Sequence, residues 1–351
     1  MKKTFKISAI FCLIIISLLS CEKTTDNEDE IDVIIPKKTV VYLAGADENY
    51  GTYIAKYWKD GVAVELSDGY SEAVAYSMYV VGTDVYVCGY EVNPTTHNKM
   101  AIYWKNGTAV SLTDGKYDAY ASSIFVSDST VYTAGYEGVK HGIAKYWVNA
   151  EPHNLTIGNT PSSAEGIFVA NNNIYVIGTE NVDLYTEFGV KSKGVLWVNG
   201  NPTYLTSGTN ATRLSSIFVS DSDVYVAGSE TNTSLNFFET KYWKNNTVVK
   251  LNEDNNFAEA NSIFVSDSIV YVAGKEYSTT NSVAKYWNDN VSVNLTDGSN
   301  NAYGNSIFVD GTDVYVSGSD DGVAKYWKNG NPVILKGITT NWFNAIFIAK
   351  E

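Results

Sequence analysis

Seven carboxylates recur at one position of a repeated unit: Asp47, Glu91, Glu137, Glu180, Glu230, Glu276 and Asp320 each stand two residues after a glycine. Acids gathered in a ring have two chemical uses, holding a hard cation or dividing the acid and base roles on a glycosidic bond. The repeat also offers a structural use. Five units place a lysine two residues before a tryptophan, at Lys56, Lys145, Lys241, Lys285 and Lys325, and antiparallel pairing would set each lysine against the acid as a cross-strand ion pair. Ile102 and Val195 take the lysine position in the other two units, so if any of these acids is freed for function, Glu91 and Glu180 are the ones to test.

A second set of candidates comes from a position that varies. Three residues before the first strand's SIFV run stand Val74, Tyr120, Ser163, Arg213, Glu259, Tyr303 and Trp342. Tyr120, Tyr303 and Trp342 supply aromatic faces, Arg213 a cation and Glu259 an acid, a mixture suited to stacking on a sugar ring or gripping a peptide. The competing reading is loop residues packing on their neighbours. Other chemistry is thin. His97, His141 and His153 lack metal-ligand spacing, and neither Gly-x-Ser-x-Gly nor a phosphate-cradling glycine loop occurs. Asp128-Ser129-Thr130 and Asp267-Ser268-Ile269 resemble a bacterial O-glycosylation sequon, although tight turns produce the same wording. No catalytic residue, cofactor or metal is assigned.

The elements that must position these residues are announced by tryptophans. Trp58, Trp104, Trp147, Trp197, Trp243, Trp287 and Trp327 mark units of 40 to 50 residues, a period that means a propeller or a related array. Each unit reads as four strands. The first is SIFV, a continuous apolar run that predicts burial on both faces, and the second is VYVAG. The third carries AKYW with its tryptophan packing between blades, and the fourth carries a leucine in all seven units. Asn or Asp followed mostly by Gly joins the third to the fourth, as at Asp60-Gly61 and Asn106-Gly107, the signature of a type I′ hairpin. The connections from second to third strand vary most, and 90–100, 179–193 and 229–240 are the long ones. They share one face of the ring with the fourth-to-first connections, and variable loops on a rigid scaffold are where binding resides.

The first unit lacks a first strand, and residues 345–348 are a first strand with no unit after it. Joined, they predict an all-β, seven-bladed propeller over residues 38–351, with four-stranded antiparallel blades and the C-terminal strand completing the N-terminal blade. On these repeats the chain resembles seven-bladed β-propellers, in wording closest to uncharacterised AKYWKNG-type repeat lipoproteins of Gram-negative bacteria. That resemblance implies a fold and an anchor, and no mechanism.

Before the repeats, Lys2, Lys3 and Lys6 precede an apolar run from Ile7 to Ser20, too short for a comfortable membrane span. Leu18-Leu19-Ser20-Cys21 resembles the lipobox of bacterial lipoproteins, which implies a signal peptide over residues 1–20 and acylation of Cys21. Residues 21–37 then read as a flexible acidic tether. Its cluster of Asp26, Glu28, Asp29 and Glu30 resembles signals that send lipoproteins to the outer leaflet, and reads equally as a solvated spacer. The expected location is the outer membrane, surface-exposed or periplasm-facing, held through the lipid on Cys21.

A net charge of -14 argues against nucleic acid as a partner, since phosphate binding depends on Lys and Arg. Loss of the leader would remove three lysines more. Past Cys21 only Cys88 remains, so no intrachain disulfide is expected. The leading expectation is a monomeric binding module for a glycan or protein ligand on the variable-loop face. Two alternatives stand beside it: a glycan lyase or hydrolase using Glu180, Glu187 or Glu259, and a structural subunit of an envelope complex.

Overall fold

Every repeat builds its own sheet because its turns are stereochemically fixed. The turn residues Asp60, Asn106, Asn149, Asn199, Asn245, Asp289 and Asn329 all hold positive φ near 50°, a conformation that Asn, Asp and Gly tolerate best. Their side chains do a second job. Each turn carboxylate or amide oxygen accepts an N–H near the start of the second strand, from Val41 to Asp60 at 3.0 Å and from Val314 to Asn329 at 2.8 Å, with the same bond in all five blades between.

The computed structural model describes residues 37–351 apart from 50, 139–141, 184–189, 233–236, 252–256, 290 and 339. Cys21 and the predicted leader and tether lie outside the described residues, Lys37 apart. Lys38–Glu351 is all β: seven four-stranded antiparallel sheets, each a meander. Blade 1 is the exception in chain order, because Phe343–Lys350 pairs with Thr39–Asn49 and supplies its inner strand. Blades 2 to 7 begin with the inner strands Ala73–Val81, Ala119–Ser127, Ser162–Ala170, Thr212–Ser220, Ala258–Ser266 and Ala302–Asp310. Each inner strand contacts the next around a closed ring. The chain is a seven-bladed β-propeller.

Between blades the packing is apolar. All seven repeat tryptophans are buried to 1 % exposure or less, and Trp104, for example, packs with Tyr42, Ala44, Met78 and Val87 of the blade 1–blade 2 core. Nε1 of Trp104, Trp147, Trp197 and Trp243 has no hydrogen-bond partner among the described residues, a desolvation cost that the aromatic burial outweighs.

The inner strands depart from the expectation of burial on both faces. Ile and Val of SIFV are buried between blades, whereas Ser and Phe are half-buried toward the axis. There Tyr79, Phe125, Phe168, Phe218, Phe264, Phe308 and Phe347 touch in sequence and back to Tyr79, with centroids 4.6 to 5.2 Å apart. Tilted and edge contacts of this kind add to plain burial. The serine two residues before each ring links blades through the backbone: Ile124 N–H donates to Ser77 Oγ, and Ile307 N–H to Ser262 Oγ at 3.2 Å.

A β-bulge interrupts every inner strand one residue before that serine position, as between Ala75 and Ser77 or Ala121 and Ser123. It turns the carbonyl of the preceding rim residue onto the glycine of VYVAG. A Cβ on Gly135 would stand 1.8 Å from Tyr120 O, and one on Gly89 1.8 Å from Val74 O. The glycine is therefore required by close approach, with no positive φ involved.

Gly135→Ala is expected to cost about 3 kcal/mol or more in urea unfolding, because backbone must move. Gly107→Ala, in a turn with open space around it, should cost only about 1 kcal/mol from its positive φ. Equal losses for the two would contradict the clash.

Candidate functional site

The bulge makes a funnel on the loop face. It pushes one residue per blade toward the axis, namely Tyr76, Ser122, Glu165, Ser215, Asn261, Asn305 and Asn344. Three of these amides and one hydroxyl bridge to the next blade's freed carbonyl: Asn261 to Gly304 O at 2.9 Å, Asn305 to Phe343 O at 2.9 Å, Asn344 to Ala75 O at 2.8 Å and Ser215 to Ala260 O at 2.7 Å. Tyr76 breaks the pattern, and Cys88 Sγ serves Ala121 O instead at 3.4 Å. That thiol is fully buried, and burial raises its pKa.

Above this row the funnel widens to a cavity of about 700 Å³. Of the predicted site residues it gathers Tyr120, Arg213, Glu259 and Tyr303. Trp342 lies against Tyr53 at 5.8 Å and is not among the cavity's lining residues. Glu91 and Glu180 are elsewhere as well. Glu180 borders a separate outer groove beside Ile157 and Gly158, with Tyr204 donating to it at 3.3 Å. Glu91 faces no lysine, having Met100 as its cross-strand neighbour. Burial, and secondarily the charge of Asp68, raises its pKa. Glu187 and His141 lie outside the described residues.

The lysines behave as the repeat predicts, with one refinement. Lys56 pairs with Asp47 at 2.9 Å, Lys241 with Glu230 at 3.1 Å and Lys325 with Asp320 at 2.8 Å, and Lys145 with Glu137 and Lys285 with Glu276 do the same. The partners are diagonal, since each of these lysines sits opposite the glycine, as Lys56 does Gly45. The glycine's missing side chain leaves room for the lysine to reach across. Among the described residues no cluster of three or more His, Cys, Asp or Glu is placed to hold a metal.

The structure also revises what the rim tyrosines do. Tyr120 stacks on Tyr136 at 4.9 Å while Lys99 Nζ sits 5.0 Å from its centroid and 4.4 Å from that of Tyr90. On the far side Lys275 Nζ lies 4.6 Å from Tyr303 and 4.7 Å from Tyr277. These rings hold ammonium groups by cation–π attraction, so they are not the bare stacking faces expected. Glu259 knits the second group together: Lys275 Nζ is 3.5 Å away, Arg213 3.6 Å, and Tyr277 donates to it at 3.2 Å. Burial, then the charge of Glu259, pushes the Tyr277 hydroxyl up to about 12.

Sequence reasoning missed the bulge row and Lys99, Tyr136 and Lys275. A signal existed for two of these. The residue after the VYVAG glycine is Ala46, Tyr90, Tyr136, Thr179, Ser229, Lys275 and Ser319, as variable as the rim set and paired across the strand with it, Glu259 opposite Lys275 and Tyr120 opposite Tyr136.

No family model matches the chain, and no curated protein does. Among solved structures it is similar to the β-propeller domain of the Trilobed protease from Pyrococcus furiosus, at TM-score 0.51 and 12 % identity over 86 % of this chain and 93 % of that one. That domain is described as having an open velcro topology, whereas here blade 1 is closed by Phe343–Lys350. A Pyrococcus horikoshii acylaminoacyl peptidase aligns at TM-score 0.45 and 11 % identity, over 74 % of this chain and 45 % of that one. At these identities the likeness is one of fold.

Glu91→Gln tests the unpaired acid. With its folded-state pKa raised, the folded protein binds more protons between the two pKa values, so stability falls as pH rises through that window. The amide should therefore raise Tm near neutral pH, and the gain should vanish below the ordinary carboxylate range. A Tm difference independent of pH would refute the assignment.

Proposed function

We propose that this propeller is a lipid-anchored binding module of the cell envelope, which captures a glycan or protein ligand in the loop-face funnel. The observation that carries the reading is the funnel itself. Its volume suits a small ligand or one projecting part of a larger one, and its polar side chains differ from blade to blade while the scaffold around them repeats. Residues dictated by packing repeat in this chain, as the tryptophans do, so the divergence of the funnel's polar side chains supports a ligand-binding role for them.

The anchor rests on sequence. The basic start, the apolar run and the lipobox-like Leu18-Leu19-Ser20-Cys21 support acylation of Cys21, and the acidic stretch behind it supports an outer-membrane destination. Residues 21–37 would then serve as the tether between lipid and propeller. Binding asks for no catalytic step: Glu259 is engaged by Lys275, Arg213 and Tyr277, and Glu180 faces a different groove.

Three outcomes are expected. Cys21→Ala protein should leave the membrane fraction for the soluble one, and a variant that stays membrane-bound would remove the anchor. In a screen of glycans and envelope proteins, ligands retained by the native protein should bind at least about tenfold more weakly to Arg213→Ala with Tyr303→Ala. Glu180→Gln should bind as the native protein does. Loss with the Glu180 variant and none with the funnel pair would move the site to the outer groove.

A further inference from the structure

The charge of the funnel is opposite to that of the protein. Lys99, Arg213 and Lys275 line it against Glu165 and Glu259, which leaves an excess positive charge at the mouth of a chain whose net charge is -14. Glu259 is shared between two cations, so Arg213 and Lys275 together are only half compensated. Lys275 is 8 % exposed and fixed between two tyrosine rings. Arg213 has 67 % of its side chain exposed above it, open for a bidentate approach by a planar anion.

The rest of the wall presents polar groups that no partner among the described residues engages. The hydroxyls of Tyr76, Tyr120, Tyr136 and Tyr303, the Oγ of Ser122 and the carboxylate of Glu165 form no hydrogen bond with any described residue. Burial raises the pKa of Tyr76 and Tyr136, which keeps both as donors, while Glu165 offers only acceptors. Leu214 is the sole aliphatic side chain among the residues lining the cavity. The lining offers no apolar anchor pocket of the kind many peptides dock into, so a peptide would have to bind through its acidic groups. A ligand dense in hydroxyls meets matching donors and acceptors all round.

Resting on the proposed binding role, we infer that the funnel takes an acidic saccharide, a uronate-type unit whose carboxylate lies at Arg213 and Lys275 and whose ring hydroxyls face Tyr76, Tyr136, Ser122 and Glu165. Lys99, across the mouth, would meet the carboxylate of a neighbouring unit in the same chain. The cation–π clamps hold both lysines extended before the ligand arrives, so little side-chain entropy is lost on binding.

The test is calorimetric titration of the full propeller with short oligogalacturonides and oligoalginates, with their methyl-esterified counterparts, with neutral oligosaccharides and with poly-glutamate. Binding of at least one acidic oligosaccharide is expected, weakening as salt is raised, and weakening about tenfold or more on esterification. Arg213→Gln, on an exposed side chain, should cost a similar factor, and Lys275→Met should do likewise if its circular dichroism and melting show a native fold. Equal affinity for the esterified or neutral sugars would overturn the acidic specificity while leaving the binding role intact. Tighter binding of poly-glutamate would replace the saccharide with an acidic peptide. Absence of any ligand from the funnel, acidic or not, would sink the binding role as well.

Discussion

The bulge in the inner strand is the constraint from which most of this molecule follows. One extra residue per blade shifts the register between, for example, Ala75 and Ser77. The shift leaves carbonyls without a ladder partner, and a buried carbonyl must find one. Asn261, Asn305, Asn344 and Ser215 reach from one blade to the next to supply it, so a defect in pairing becomes a joint between blades. The same shift excludes any side chain at the VYVAG glycine and aims the extra residue at the axis. Joint, glycine and funnel wall have a single origin.

Charge is arranged in two tiers around this frame. In the outer tier, the five lysine–acid pairs are closely matched and mostly shielded, Lys285 having 6 % of its side chain exposed. Breaking such a pair from one side would leave an uncompensated buried charge. In the inner tier, lysines sit on tyrosine faces and share acids unequally. Ring quadrupoles attract a cation without neutralising it, so Lys99 and Lys275 are held in place and yet keep an outward field. The first tier holds the blades; the second is left able to act.

How far the sequence foretold this depends on whether a residue belongs to the repeat. Blade number, strand order, turn type and the closure by residues 345–348 were all legible, since seven copies of each signal reinforce one another. Tyr120, Arg213, Glu259 and Tyr303 were legible because they occupy a position where the copies disagree. Trp342 sits at that same position, yet it lies against Tyr53 away from the funnel lining, so position alone did not decide. Glu91 and Glu180 were singled out for lacking a lysine, but that reasoning carries no information about distance from the axis. The bulge row was invisible for a physical reason: period-two reading assumes that alternate residues share a face, and an inserted residue breaks that parity. The long connections were overdrawn for a related reason, because hairpin arms such as Asn173–Asp183 and Lys191–Val198 continue the sheet outward through residues that look like loop.

The strand that closes blade 1 also sets the order in which the chain can acquire its structure. Thr39 and Lys350 are hydrogen-bonded at a sequence separation of 311, and Glu351 is gripped by both Tyr42 and Lys59. Every other blade draws its four strands from one continuous stretch of chain. Blade 1 must wait, with the inner edge of Thr39–Asn49 unpaired, until six more blades have carried Phe343–Lys350 round to meet it. Ring closure of such length is a slow step, so the first blade synthesised is the last completed, and the open edge is exposed throughout that delay.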